Sequence, residues 1–231
     1  MKAIVLAAGR GERMRPLTDS TPKPLLRVHG RALIEWHLEA LARSGVREVV
    51  INTAWLEEQI VAALGDGTRF GLAIRYSLEG RDHGGALETA GGLKKALPLL
   101  QLAGDAPFWY VAADVFAPDF VFDAGVPLAA RDLARLWMVP NPPQHPGGDF
   151  GIADGHAIAA GAGERFTWTG IGLFRPGFVD ELMGDLAVGT KARLRPYLDA
   201  AIAQRRLAAQ LWPGRWADVG TPERLRALDN A

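Results

Sequence analysis

The apolar run Ala3-Ile4-Val5-Leu6 passes directly into Ala7-Ala8-Gly9-Arg10-Gly11-Glu12-Arg13-Met14-Arg15-Pro16-Leu17-Thr18, and Thr21-Pro22-Lys23-Pro24-Leu25 follows. A strand that stops at small residues and turns through a glycine-rich loop is the start of an α/β unit. Small residues let a ligand approach the backbone, whose N–H groups can cradle phosphate oxygens. Arg13, Arg15 and Lys23 add positive charge suited to a polyphosphate, and the prolines flanking Lys23 stiffen the segment that carries it. Two commoner glycine motifs do not fit. The dinucleotide fingerprint would need glycine at Met14 and an acid after the second strand, where Asn52-Thr53 stands, and no G-x-x-x-x-G-K-[ST] string occurs. The loop therefore points to a nucleoside triphosphate site of another kind.

Downstream, apolar periodicity alternates between strand and helix. Lys2–Leu6, Glu48–Ile51, Leu72–Ser77 and Pro107–Ala113 read as strands. Helices are expected around Leu33–Leu41 with Gly45 beyond its end, over Trp55–Leu64 up to Gly65, and over Gly91–Leu97. Such alternation predicts an α/β fold: a mostly parallel, Rossmann-like twisted sheet covered by helices, with ligands at the carboxyl ends of the strands. Gly9, Asn52 and Asp114 lie at or just past such ends and should converge. The second half is less regular. Asn141–Gly148 is a loop by composition. Phe150–Ile152, His156–Ala159 and Phe166–Phe174 read as strands of a small antiparallel lid, and Lys191–Arg205 as a long helical stretch. Leu207–Trp212 reads as extended, and Thr221–Leu228 as a helix capped by Thr221. No linker interrupts the 231 residues, so one domain is expected, with a nucleotide-binding half over about 1–118 and a small sugar-binding sub-lobe within about 119–231.

Composition excludes more than it selects. Twenty-six basic residues balance 26 acidic ones, which argues against a nucleic-acid or anionic-membrane surface. With no cysteine, disulfides and thiolate metal sites are impossible. No apolar run reaches the length of a membrane span, and no signal-peptide pattern opens the chain, so a cytoplasmic protein is expected.

The run from Leu6 to Leu25 closely resembles the signature of the sugar-phosphate nucleotidyltransferases, L-A-A-G-x-G-x-R-x-x-P-x-T followed by P-K-P-L. These enzymes join a nucleoside triphosphate to a sugar 1-phosphate and release pyrophosphate. Within the family, the resemblance is to the branch that uses UTP with N-acetyl-α-muramate 1-phosphate in cell-wall recycling. It is carried by Ile51–Leu56, Leu87-Glu88-Thr89, Gly148-Asp149-Phe150 and Trp216–Thr221, and is weak between Asp119 and Pro146. It implies nucleotide contacts from Leu6, Ala7, Ala8, Gly9, Gly11, Glu12, Arg13, Lys23, Glu88, Thr89 and Gly91, with Arg13 and Lys23 catalytic. It implies Mg²⁺ on Asp114 and Asp218, and sugar contacts from Asp149, Glu164, Arg165 and Gly170. Arg165 is the cation expected to meet a phosphate or the lactyl carboxylate. Partners would be a nucleoside triphosphate, UTP favoured, and a sugar 1-phosphate, in a monomer or small homo-oligomer.

The residues agree with that chemistry on their own terms. An acid just past an apolar strand, as Asp114 is, stands where a metal can meet phosphate. The second pKa of a phosphate monoester lies near 6, so the attacking oxygen is already ionised and no general base is required. No Ser/His/Asp set lies near the loop, and the five histidines are scattered. The tryptophans, Trp55, Trp109, Trp168 and Trp216 among them, are expected in the core rather than as stacking platforms. One departure is Ala112-Ala113 before Asp114, where the family usually carries glycine next to the aspartate. Other members remain as alternatives: a mannose 1-phosphate enzyme with GTP, or a glucose 1-phosphate enzyme with dTTP or UTP. A non-catalytic regulatory subunit that binds a nucleotide sugar is a third, against which Arg13, Lys23, Asp114 and Asp218 all stand. A metal-dependent glycosyltransferase would need Asp-x-Asp at the Asp114 strand end, which is absent.

Overall fold

The computed structural model describes residues 1–159 and 163–230. Nine strands form one mixed sheet: β1 (Lys2–Leu6), β2 (Glu48–Thr53), β3 (Ala73–Leu78), β4 (Phe108–Ala112), β5 (Ala134–Val139), β6 (Phe150–Ala153), β7 (His156–Ile158), β8 (Arg165–Phe174) and β9 (Leu207–Leu211). Their spatial order is β3-β2-β1-β4-β8-β5-β9-β7-β6. The first four pair in parallel, with β1 central between β2 and β4. In β1, Ala3 and Val5 enter the core on one face and Ile4 enters the core on the other, the period-2 pattern of a strand buried on both sides.

Helices α1 (Leu33–Arg43), α2 (Glu57–Leu64) and α3 (Glu88–Ala96) cross over between these strands. Helix α1 buries Leu33, Ile34, His37, Leu38 and Leu41, a helical stripe. It stops as expected: Gly45 takes φ +85°, its N–H donates to Ala42 O at 3.1 Å, and Val46 N–H donates to Leu41 O at 3.0 Å. Those two bonds satisfy the last carbonyls of the helix.

The second half departs from the expected lid. β8 inserts beside β4, antiparallel to it, so these strands continue the main sheet. The hairpin β6–β7 joins β9 on one side and the start of β8 on the other, closing a ring of pairings β8–β5–β9–β7–β6. A register shift between Trp168 and Gly172 lets β8 serve both β4 and this ring. The irregularity centres on Gly170, at φ +78°, where a Cβ would lie 2.8 Å from the Ala112 methyl. The helical stretch expected over Lys191–Arg205 narrows to α5 (Arg195–Ala203), after α4 (Pro176–Leu182); its Pro196 sits in the first turn, where the missing N–H costs nothing. Finally α6 (Pro222–Asp229) is capped by Thr221, whose hydroxyl accepts from Arg224 N.

Candidate active site

Beyond Leu6 the chain leaves the sheet and wraps the mouth of a cleft of about 1600 Å³ above the carboxyl ends of β1, β2 and β4. Every residue from Leu6 to Met14 lines it, as do Lys23, Glu88, Thr89 and Asp114. Among the described residues, the N–H groups of Ala8, Gly9, Arg10 and Gly11 donate to no protein acceptor. Free donors in series around a cavity are an anion cradle. Gly11 holds the turn at φ +66°, and a Cβ there would lie 3.0 Å from Thr18 Cγ2 and 3.2 Å from Lys23 Cβ. The Thr18 hydroxyl donates to Gly11 O at 2.8 Å, which locks the loop from behind.

The charges divide. Arg13 is exposed and lines the cleft, whereas Arg15 is held by Asp19 at 2.6 Å and does not line it. Arg15, one of three cations expected at the phosphates, is thus a surface ion pair. Lys23 is buried between Pro22 and Pro24, and its ammonium reaches Asp114 Oδ2 at 2.6 Å. The Asp114 side chain remains 45% exposed toward the cleft. Desolvation pushes its carboxyl up, but the adjacent Lys23 ammonium outweighs this and holds it below the ordinary carboxylate value.

Asp218 reaches the same place from the other end of the chain. Residues Ala217–Asp218 pair antiparallel with Val115–Phe116, setting Asp218 opposite Val115, and Val219 N–H donates to Asp114 O at 3.4 Å. Both carboxylates line a second, smaller pocket of about 280 Å³ that shares Ala112 and Asp114 with the large cleft. Arg224 donates to Asp218 Oδ2 at 2.5 Å, so each carboxylate carries a cation partner. Two carboxylates at the junction of a phosphate cradle and a second pocket suit Mg²⁺, which takes one or two carboxylates and completes its shell with phosphate and water. No group of three or more His, Asp or Glu side chains stands ready for a metal among the described residues.

The Ala112-Ala113 departure is absorbed. Ala113 has no positive φ among the described residues, and its methyl is fully buried in the core. Only Ala112 borders the ligand space, opposite Gly170.

Across the cleft, Glu88 and Thr89 line the wall at the start of α3. Glu88 takes φ +59°, a left-handed conformation that a non-glycine residue holds only when its surroundings enforce it. Gly91, expected as a nucleotide contact, is a packing glycine instead. It does not line the cleft, and a Cβ there would lie 2.2 Å from Thr190 O. Gly91→Ala should therefore cost about 2–3 kcal/mol of stability through overpacking. A melting temperature within about 2–3 °C of the parent would show that the backbone at Thr190 yields, and would return Gly91 to the nucleotide.

The smaller pocket receives Asp149 and Gly170, together with His145, Thr167, Trp168 and Trp216. Asp149 Oδ2 accepts from Trp168 N at 2.8 Å, and Oδ1 stands 3.2 Å from His145 Nε2. Two expected sugar contacts lie outside this pocket: Glu164 is exposed and, like Arg165, does not line it. Arg165 Nη2 donates to Asp149 O at 2.9 Å, so its guanidinium braces the pocket wall from outside.

Sequence reasoning missed several lining residues. Trp55, assigned to the core, borders the cleft with the Arg10 guanidinium 4.4 Å from its ring centroid, and its indole donates to Thr18 O at 2.8 Å. Of the other tryptophans given to the core, only Trp109 is fully buried; Trp168 and Trp216 line the smaller pocket. Arg81, Tyr110 and Lys191 also line the large cleft. Among the histidines, His37 is buried under the short strand Val115–Phe116, 2.8 Å from Val115 O, and burial lowers its pKa. Neutral, it must donate from Nε2, since a carbonyl only accepts.

Free backbone N–H groups at the carboxyl ends of the parallel strands, with a buried lysine and two aspartates at one cleft edge, suit the binding of a nucleotide. The chain belongs to the Nucleotidyl transferase family, whose model matches residues 2–157. It is 46% identical to an N-acetylmuramate alpha-1-phosphate uridylyltransferase of Neisseria meningitidis, over 98% of this chain and 96% of that protein. A protein of the same description from Caulobacter vibrioides is 33% identical, over 96% and 92%. In fold the chain resembles the CTP:phosphocholine cytidylyltransferase of Streptococcus pneumoniae, with a TM-score of 0.72, 20% identity, and coverage of 99% and 97%. No helix among the described residues is long and apolar enough to cross a membrane.

Proposed function

We propose that this enzyme transfers UMP from UTP to N-acetyl-α-muramate 1-phosphate in the cytoplasm, forming UDP-N-acetylmuramate and pyrophosphate as a step of cell-wall recycling. The observation that carries the reading is the shared edge of the two pockets. Asp114 borders both, so a triphosphate in the large cleft and a sugar phosphate in the small one would meet there. The two full-length relatives, both described as acting on N-acetylmuramate 1-phosphate, support the choice of sugar. We place the nucleotide on Leu6–Arg13, Lys23, Glu88 and Thr89, and the sugar on Asp149 and Gly170.

In the reaction, an ionised oxygen of the sugar 1-phosphate attacks the α-phosphorus. The new P–O bond forms as the bond to the β-phosphoryl oxygen breaks, and pyrophosphate leaves with that electron pair. The loop N–H groups and Arg13 hold the departing phosphates. Lys23, preorganised by its prolines and by Asp114, would stabilise the charge that builds on the transferred phosphoryl. Asp114 and Asp218 would hold Mg²⁺, which when bound supplies charge neutralisation at the phosphate oxygens. No group in the site needs to take a proton.

Pyrophosphate release is the test, over four nucleoside triphosphates and several sugar 1-phosphates. A site built for the lactyl carboxylate leaves polar groups unpaired when that carboxylate is missing, which penalises the wrong sugar strongly. N-acetylmuramate 1-phosphate should be preferred to N-acetylglucosamine 1-phosphate by well over about tenfold in kcat/KM. Equal values would end the muramate assignment and leave the nucleotidyltransferase standing. Because Arg165 braces Asp149 rather than facing the pocket, Arg165→Ala should lower kcat/KM for both sugars together. A loss confined to the muramate substrate would restore direct contact.

A further inference from the structure

Between the phosphate loop and the Glu88–Thr89 wall lies a buried polar chain that the mechanism leaves unused. Ala7 N–H donates to Asn52 Oδ1 at 2.8 Å and also, at the longer distance of 3.1 Å, to the Asn52 backbone O; Asn52 Nδ2 donates to Glu79 Oε1 at 2.6 Å; and Leu87 N–H donates to Glu79 Oε2 at 2.7 Å. Asn52 is 2% exposed and Glu79 not at all. Helix α3 seals the chain from above: a Cβ on Gly92 would lie 2.5 Å from Asn52 Nδ2 and 2.6 Å from Glu79 Oε1, so that position must be glycine. Removing a carboxylate from water is costly, and here both of its oxygens are met by donors.

The order of donors shows why they are. Both ends of the chain are backbone N–H groups, at Ala7 and Leu87, so both must be met by acceptors. Asn52 turns its carbonyl to Ala7 and therefore its amide NH₂ to residue 79. Residue 79 is thus approached by two donors, and only an acceptor-only group satisfies both. Glutamine at 79 would set donor against donor at one end, and flipping Asn52 would turn its NH₂ against the Ala7 N–H, which would keep only its longer bond to the Asn52 backbone O.

We propose that Asn52 and Glu79 are positioning residues that fix the spacing between the phosphate loop and the turn holding Glu88 in its left-handed conformation. Recognition of the triphosphate and of the base and ribose would thereby be linked. Neither side chain need touch the reacting atoms. The proposal rests on the assignment of the Glu88–Thr89 wall to the nucleoside.

Reversing the polarity tests it. Asn52→Asp alone sets two carboxylates face to face, and Glu79→Gln alone sets donor against donor. The double variant Asn52→Asp/Glu79→Gln restores all three bonds. The introduced carboxylate at position 52 accepts from Ala7 N–H and from the introduced amide at position 79, and the carbonyl of that amide accepts from Leu87 N–H. Net charge is unchanged. Each single variant should raise KM for UTP by about tenfold or more and reduce the preference for UTP over CTP. KM for the sugar phosphate should stay within about twofold, and the double variant should return UTP binding to near the parent value. A double variant no better than the worse single one, or single variants with parental KM for UTP, would overturn the proposal, as would a melting-temperature change with no change in nucleotide selectivity. If neither single variant folds, the double variant decides: parental KM supports the strut, and a raised KM or failure to fold rejects it. A parent enzyme inactive with every nucleoside triphosphate would instead overturn the functional assignment, so the two failures are distinguishable.

Discussion

Replacing either Asp114 or Asp218 by asparagine should reduce turnover by about 10³-fold or more, and replacing both should do little further harm. The two residues are far apart in sequence yet border one small pocket, because Asp218 pairs opposite Val115. Each substitution removes a full negative charge from the place where a divalent cation would meet phosphate. Effects on one shared site do not add. Steady-state pyrophosphate release for the two single variants and the double variant, with Mg²⁺ titrated, measures this. Independent, multiplying losses would mean that the carboxylates serve different ions or none, and activity that saturates at the parental Mg²⁺ concentration in Asp218→Asn would remove Asp218 from metal binding. Both variants should remain folded, since asparagine keeps an acceptor for Lys23 or Arg224. Asp114→Ala should not be so well tolerated. It strands the buried Lys23 ammonium without its 2.6 Å partner, and an unsatisfied buried group costs about 1–3 kcal/mol or more.

Lys23→Ala carries the second large effect. Losing one preorganised donor to a developing charge costs about 3 kcal/mol, or about 10²-fold in rate. The stability consequence is the reverse of that for Asp114→Ala. Removing Lys23 leaves behind a carboxylate whose side chain is 45% exposed, which water can solvate, so thermal stability should change little. The Asp114 carboxyl loses the cation that holds it down, so its pKa should rise toward the ordinary value. The variant's activity should then fall away at a higher pH than the parent's as pH is lowered, because a protonated Asp114 cannot serve a cation. Parental turnover in Lys23→Ala would take Lys23 out of the reaction. A parental acid limb would show that Lys23 does not set the charge of Asp114.

Local chemistry made much of this protein legible in its residues. Strand β1, helix α1 with its Gly45 stop, the Thr221 cap and the phosphate loop rest on interactions spanning a few positions: alternation, helical spacing, turn glycines and capping hydroxyls. So does the placement of Lys23 between its prolines. That Asp114 would border a cleft was readable because a parallel sheet presents its strand ends to ligands wherever the chain goes next.

What depends on contacts between distant segments was decided only by the tertiary structure. One local contact also escaped the reading of the residues: Asp19, four positions on, holds Arg15 outside the cleft and so parts its role from that of Arg13. Gly91 became a packing glycine because Thr190, far along the chain, presses on it. Arg165 turned from the sugar to Asp149 because β8 is shared between the main sheet and the ring closed by β6, a pairing that no local pattern announces. Trp55 and Trp168 were assigned to the core on residue type, yet large aromatic groups serve equally well as cleft walls once another segment leaves them uncovered. Asn52 was expected among the strand ends that meet a ligand, and Glu79 carried no local signal. Their pairing became visible only when folding brought the ends of β2 and β3 beneath α3 and removed both side chains from water. An alternating pattern specifies which residues are buried, whereas the identity of their partners is set by chain crossings that bring together segments with no local relation in sequence.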